Sequence, residues 1–176
     1  ARRLMADAYR TAGESAAATV LMDEAESLRK AFNQDFWMVA EGCFALGLEV
    51  GDRQLDVVAS NAGQVLWSGI ADDDKASRTA ERMMQPDMNC GWGVRTLSVD
   101  TAAYNPLNYH LGSVWPFDNA LIAAGMKRHG MDAPAIALFD ALIDVSEHFA
   151  MGRLPEFFIG YDRDPGLVPA RCPFAE

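Results

Sequence analysis

Between Gly91 and Asn119 the chain reads GWGVRTLSVDTAAYNPLNYHLGSVWPFDN, and no single regular element can hold it. Gly91, Gly93 and Gly112 lack side chains, while Pro106 and Pro116 lack a backbone donor and restrict the residue before them. Any fold adopted by this chain must therefore wrap regular elements around a long irregular segment. That segment concentrates chemistry: Trp92, Trp115, Tyr104, Tyr109, His110, Arg95 and three Asn lie within it. An aliphatic core has little use for so many polar tips. A pocket for a polyol needs them, because flat rings cover the apolar faces of a sugar and amides or charges meet its hydroxyls. The stretch is read as one wall of a sugar site; the alternative is an aromatic loop folded over a helical core.

The rest of the chain supplies helices. Residues 1–12 form a short amphipathic helix closed by Gly13. Ser15 can cap a longer one that carries Ala17, Val20, Leu21, Leu28, Ala31 and Phe32 on one stripe and ends near Phe36 and Trp37. Trp37 is read equally as a core anchor or a substrate platform. Residues 41–59 are read as irregular or helical, with two short strands around Gly51 and Asp52 as the alternative. Ser60 or Asn61 caps a short helix stopped by Gly69, and Asp72, Asp73 and Asp74 open another that breaks at Pro86. The acidic triplet reads as a helix start rather than a metal site. Pro116 fits the first turn of the next helix, closed by Gly130, with Asp118 at its opening end. A last helix over 133–150 has Ile136, Phe139, Leu142, Ile143 and Phe149 as its apolar stripe.

Composition narrows the function classes. The 176 residues suffice for one domain with a sizeable core, and the hydrophobic fraction of 50% describes a globular chain. A formal net charge of -10 without a Lys/Arg cluster argues against a nucleic-acid partner. Neither a membrane-spanning run nor a signal-type opening is read in the chain. Cys43, Cys90 and Cys172 are too scattered for a disulfide framework or a zinc site, which suggests a reducing, cytoplasmic setting. No dinucleotide, P-loop, HExxH or GxSxG pattern is present, so neither a cofactor nor a metal is expected.

Three words carry a family likeness: GWGVRTLS (91–98), AYNPLNYHLGSVWPFDNALIAAG (103–125) and RLPEFFIG (153–160). They resemble the C-terminal part of bacterial amylo-alpha-1,6-glucosidases, glycogen-debranching-like glycosidases of the six-hairpin superfamily. SNAGQVLWSGI (60–70) and FNQDFW (32–37) match the same pattern more loosely. The resemblance implies an all-α fold, about half of an (α/α)6 toroid of helical hairpins, with residues 1–176 as a single segment of its catalytic domain, incomplete at both ends. It also implies an oligosaccharide or glucan substrate, and either the missing half of the toroid or a second copy as a partner. Phe117 and Gln64 stand where family members often carry His, and CPFAE ends where a further helix would follow.

The resemblance places a general base at Glu156 and the general acid, an Asp, outside this chain, as in a two-carboxylate inverting glycoside hydrolase. Pro155 would fix the backbone before Glu156, and Phe157 and Phe158 would exclude water from its carboxylate. Trp92, Tyr109, His110, Trp115, Asp118, Asn119 and Trp67 are expected to bind substrate. Arg95 is read as a tie between loops, while His129 and His148 lie outside the motif. The alternative function is a non-catalytic helical carbohydrate-binding or assembly module.

Overall fold

The computed structural model describes residues 1–172 and divides them into two compact units, 1–35 and 36 onward. Pro173–Glu176, within the CPFAE end, lie outside the described residues. The first unit is a hairpin of α1 (Arg2–Thr11) and α2 (Ser15–Asp35). Its turn is closed by the Glu14 amide donating to the Tyr9 carbonyl at 2.9 Å, and ion pairs Arg2–Glu24 (2.9 Å) and Arg3–Glu26 (3.9 Å) join the two helices. Ser15 is itself the first helical residue rather than a cap. Val20 and Leu28, expected on an apolar stripe, stand about half exposed, whereas Ala18 and Asn33 are buried.

The second unit begins with a minimal antiparallel pair, β1 (Trp37–Met38) and β2 (Cys43–Phe44), in the register Trp37 to Phe44. Trp37 acts as an anchor here: Phe44 meets its edge at a centroid distance of 5.1 Å, and Lys75 and Arg78 lie over its ring. The rest of 41–59 is irregular, not helical, with one bridge from Leu48 to Gln54 across the Gly51–Asp52 turn.

Four helices follow: α3 (Asn61–Ser68), α4 (Asp73–Met83), α5 (Pro116–Arg128) and α6 (Asp132–Glu147). Their ends follow the local chemistry. Gly69 takes the left-handed conformation that ends α3, and its amide donates to the Val65 and Leu66 carbonyls. Asp72 occupies the cap position of α4, with Asp73 and Asp74 in its first turn, where their charge complements the exposed amides. Pro116 opens α5, where its missing donor has no intrahelical partner to lose.

Helices α3 and α5 approach so closely that Gly125 has no room for a side chain: a Cβ there would lie 2.4 Å from the Trp67 amide nitrogen. In α6 the inward stripe is Ala135, Leu138, Ala141, Leu142 and Val145. Ile136, Phe139 and Ile143, expected to face inward, are instead exposed, because this helix is apolar on nearly every side and its periodicity does not single out one face.

The 84–115 stretch is irregular, as its glycines and prolines dictate, but it is not loose. Single antiparallel bridges run Arg95 to Val114, Val114 to Phe158 and Phe158 to Arg171. Val114 and Phe158 exchange both backbone hydrogen bonds at 2.9 Å. Beneath these bridges Cys90, Trp92, Val114, Val145 and Phe158 form a buried cluster with Phe149 packed against it. Long-range backbone pairing thus replaces secondary structure as the support for what lies above.

Candidate functional site

A groove of about 500 Å³ opens where the first turns of α3 and α5 meet the irregular segment. Ser60, Asn61 and Gln64 line it from α3 and its cap, Phe117 and Asp118 from α5, and Thr96, His110 and Trp115 from the loops. Leu46, Leu97 and Leu111 supply apolar surface between them. Pro116 starts α5 in such a way that Asp118 is nearly buried at the groove wall, and Gln64 Nε2 donates to its Oδ1 at 2.6 Å. Hydroxyls, amides, an imidazole and one carboxylate therefore converge on a surface that also offers apolar contact. That mixture suits a polyhydroxylated ligand.

Beside the groove stands a stack of rings. Trp115 is near-parallel to both His110 (centroids 5.3 Å, interplanar angle 14°) and Phe157 (5.1 Å, 15°). Its indole Nε1 donates to the Tyr109 carbonyl and to Ser113 Oγ, both at 3.0 Å, which fixes the ring plane. Tyr109 meets His110, Trp115 and Phe157 edge-on at 4.4, 4.6 and 4.8 Å. Trp115 is thus held in a ring cluster and, half-buried, lines the groove.

Glu156 follows a short 3-10 turn at Ala150–Gly152 and the extended Arg153–Pro155 segment. It is exposed, and its Oε1 accepts a hydrogen bond from the Tyr109 hydroxyl at 2.9 Å. That bond is the main cause that holds the Tyr109 phenol above its ordinary pKa. Phe157 and Phe158 are buried at 1% and 0% exposure and turn into the core, so they do not shield the carboxylate from water as expected. Phe157 instead anchors the backbone beside Glu156 to the stack.

Three of the expected sugar contacts lie elsewhere. Trp92 is buried in the cluster under the bridges, with His148 at its edge (5.6 Å) and the Arg163 guanidinium over its ring (4.1 Å). Asn119 is completely buried. Its Oδ1 accepts from the Val94 amide (2.6 Å), and its Nδ2 donates to the Val94 and Trp115 carbonyls (3.0 Å each), so its bonding capacity goes to pinning the loop onto α5. Trp67 is half exposed in the last turn of α3, whereas the groove is lined by the first turn. Conversely, Ser60 and Asn61 read in sequence as helix caps, yet they line the groove. Gln64, one turn on from Ser60 on the same face, was the available signal.

Arg95 is 1% exposed and ties loops together. Its Nε donates to the Gly160 carbonyl (2.7 Å), its Nη1 to the Pro86 carbonyl (3.0 Å), and its Nη2 to the Asp162 carboxylate. A single ammonium group cannot serve three acceptors in that fork. Arg95→Lys is therefore expected to lower stability by about 2 kcal/mol, an order-of-magnitude figure for lost charge-assisted hydrogen bonds. An unchanged denaturation midpoint would show that the loops hold without the fork. Among the thiols, burial pushes Cys43 up to about 12, which removes it as a nucleophile.

Comparison with known proteins supplies the context. Residues 1–162 match the family described as mannosylglycerate hydrolase MGH1-like glycoside hydrolase domain. No curated protein sequence matches the chain. Among solved structures, the GH63 mannosylglycerate hydrolase from Thermus thermophilus, in complex with Tris and D-glycerate, is 18% identical. It aligns over 91% of this chain and 38% of its own, with a TM-score of 0.70. A sialidase aligns over 91% of this chain and 16% of its own at 14% identity and a TM-score of 0.78. Neutral trehalase Nth1 from Saccharomyces cerevisiae aligns over 84% and 28% at 14% identity, with a TM-score of 0.68. The chain spans well under half the length of each of these proteins. At such identities the likeness concerns the fold, which is that of a part of the helical (α/α)6 glycosidase toroid. None of the described helices is long and apolar enough to cross a membrane.

Proposed function

The chain belongs to the mannosylglycerate hydrolase MGH1-like glycoside hydrolase family, and from that premise we propose that it is a segment of an inverting α-glucosidic hydrolase, with Glu156 as its general base. The α-glucosidic part of the proposal, with α-1,6 bonds as candidates, rests on the resemblance of its sequence words to amylo-alpha-1,6-glucosidases. The observation that carries the base is the bond from Tyr109 to Glu156, because it ties an exposed carboxylate to the ring stack that borders the polar groove. In an inverting reaction that carboxylate takes a proton from water as the water attacks an oxocarbenium-like anomeric carbon. A second carboxyl, about 6.5–9.5 Å away, protonates the leaving oxygen, and we assign it to a segment outside this chain. The groove binds the sugar. Asp118, held by Gln64, accepts hydrogen bonds from sugar hydroxyls, and Leu97 and Leu111 meet the apolar ring faces.

Residues 1–176 are then one segment of a catalytic domain. The remaining helices, or a second copy, cover the apolar stripe that α6 leaves exposed at Ile136, Phe139 and Ile143. A net charge of -10 fits a neutral sugar better than a polyanion, and three free thiols fit a reducing cytoplasm.

The test is hydrolysis by the full-length protein of isomaltose, maltose and α-mannosylglycerate, with the released anomer followed by proton NMR. First release of β-glucose supports the reading. First release of α-glucose refutes inversion, turnover of mannosylglycerate alone corrects the sugar, and affinity without any turnover favours a binding module. Asp118→Asn keeps the shape of the side chain but weakens its acceptor strength. It is expected to raise KM about tenfold, the value of one charge-assisted hydrogen bond, with a smaller loss in kcat. Unchanged KM would remove Asp118 from substrate binding.

A further inference from the structure

The geometry points to Tyr109 as the residue that positions Glu156, holding one carboxylate oxygen so that the other is presented to the attacking water. This inference rests on the assignment of Glu156 as the base and adds a device to it. Glu156 is exposed and lies at a bend outside any helix or strand, so no regular element of its own restricts its side chain to one rotamer. An unrestrained glutamate would spread its carboxylate over several positions, and a base misplaced by about 1 Å can lose on the order of a hundredfold in rate. A restraint must come from outside the segment, and the hydrogen bond that supplies it is the one from Tyr109 Oη to Oε1, at 2.9 Å.

Tyr109 is suited to that role because it is itself immobilised. Three rings hold it edge-on: His110, Trp115 and Phe157. Its carbonyl accepts from Trp115 Nε1 (3.0 Å) and from Ser113 Oγ (2.7 Å), which fixes its backbone as well. Phe157 closes the loop. It is the neighbour of Glu156 in sequence and packs face to face on Trp115, so the backbone of the base and the donor that orients it are set by the same indole. The arrangement has a chemical direction. The phenol, held above its ordinary pKa by this bond, remains protonated at neutral pH and donates to the carboxylate. Tyr109 therefore holds Oε1 and leaves Oε2 without this restraint.

Tyr109→Phe in the full-length protein removes the hydroxyl and keeps the ring stack, so thermal stability is expected to stay close to that of the parent. On the glycoside that the parent turns over, kcat should fall about tenfold with KM nearly unchanged, consistent with one lost charge-assisted bond. A purely structural tyrosine would not lower kcat while leaving KM in place. A second readout needs no substrate. In protein carrying 13C-tyrosine, assigned by its loss in Tyr109→Phe, Glu156→Gln should lower the titration midpoint of the Tyr109 phenol. A phenol midpoint that does not move would overturn the contact. A dead Glu156→Gln beside a Tyr109→Phe of parental kcat would overturn the positioning role alone, and a Glu156→Gln of near-normal turnover would overturn the base on which it stands.

Discussion

Replacing Glu156 with Gln in the full-length protein is expected to lower kcat by about 10²–10⁴-fold, the range supplied by a positioned general base. Gln is nearly isosteric with Glu and can still accept from the Tyr109 hydroxyl, so the ring stack and the loop should keep their places. What is lost is the capacity to take a proton from water as it attacks. Because that proton moves only in the transition state, kcat and kcat/KM should fall together while the substrate is bound almost as before. Calorimetric titration of the inactive variant with the substrate checks the second half of this expectation. Loss of affinity in parallel with loss of rate would recast Glu156 as a binding residue, and undiminished turnover would move the base elsewhere.

The largest stability effect is expected from Gly160→Ala. A Cβ at this position would fall 1.8 Å from the carbonyl oxygen of Gly112, a backbone atom that no rotamer change can move aside. The two segments must separate, and three bonds converge where they cross. The Gly160 carbonyl accepts from Arg95 Nε (2.7 Å) and from the Tyr104 hydroxyl (3.2 Å), and the Gly160 amide donates to the Pro106 carbonyl (3.1 Å). Overpacking alone costs about 1–3 kcal/mol. Strain on the bonds of a buried guanidinium adds to that, so a total of about 3 kcal/mol or more is expected. The denaturation midpoint should drop accordingly, and activity should fall because Glu156 lies only four residues before the crossing. A midpoint within error of the parent would mean that the segments do not approach so closely in solution.

Helix ends were legible in the sequence because each is set by residues that act locally. Pro116, Gly69 and the Asp72–Asp74 triplet mark boundaries through sterics and charge within one turn. Helix faces were less legible. In α6 the choice between Leu138 and Phe139, neighbours of similar hydrophobicity, is made by what packs against the helix, and the sequence of the helix carries no record of it. The same limit applies to the candidate site. Trp92 and Trp115 lie in one motif and share one chemistry, yet one is sealed in a cluster and the other borders the groove. Asn119 and Asp118 are adjacent, and their division into loop anchor and groove wall follows from a step of about 100° around α5. Ser60 and Asn61 fit a capping pattern, and nothing in that local pattern marks them as groove lining. Glu156 stands in a word with a family likeness, whereas its link to Tyr109 spans 47 positions and has no local signature.

The bridges Arg95–Val114, Val114–Phe158 and Phe158–Arg171 also dictate an order of events when the chain is made. Helix α6 follows α5 directly, but α3 must wait for α5: Gly63 packs on Ile122 and Trp67 on Gly125, 59 and 58 positions on. The backbone beneath the groove needs residues made later still, Val114 pairing with Phe158, 44 positions on, and Phe158 with Arg171. Pairings so distant carry a loop-closure cost, so the backbone beneath the groove is expected to set after the α3–α5 contact. Until Arg171 has emerged, the aromatic segment lacks its last bridge and stays open to chaperones.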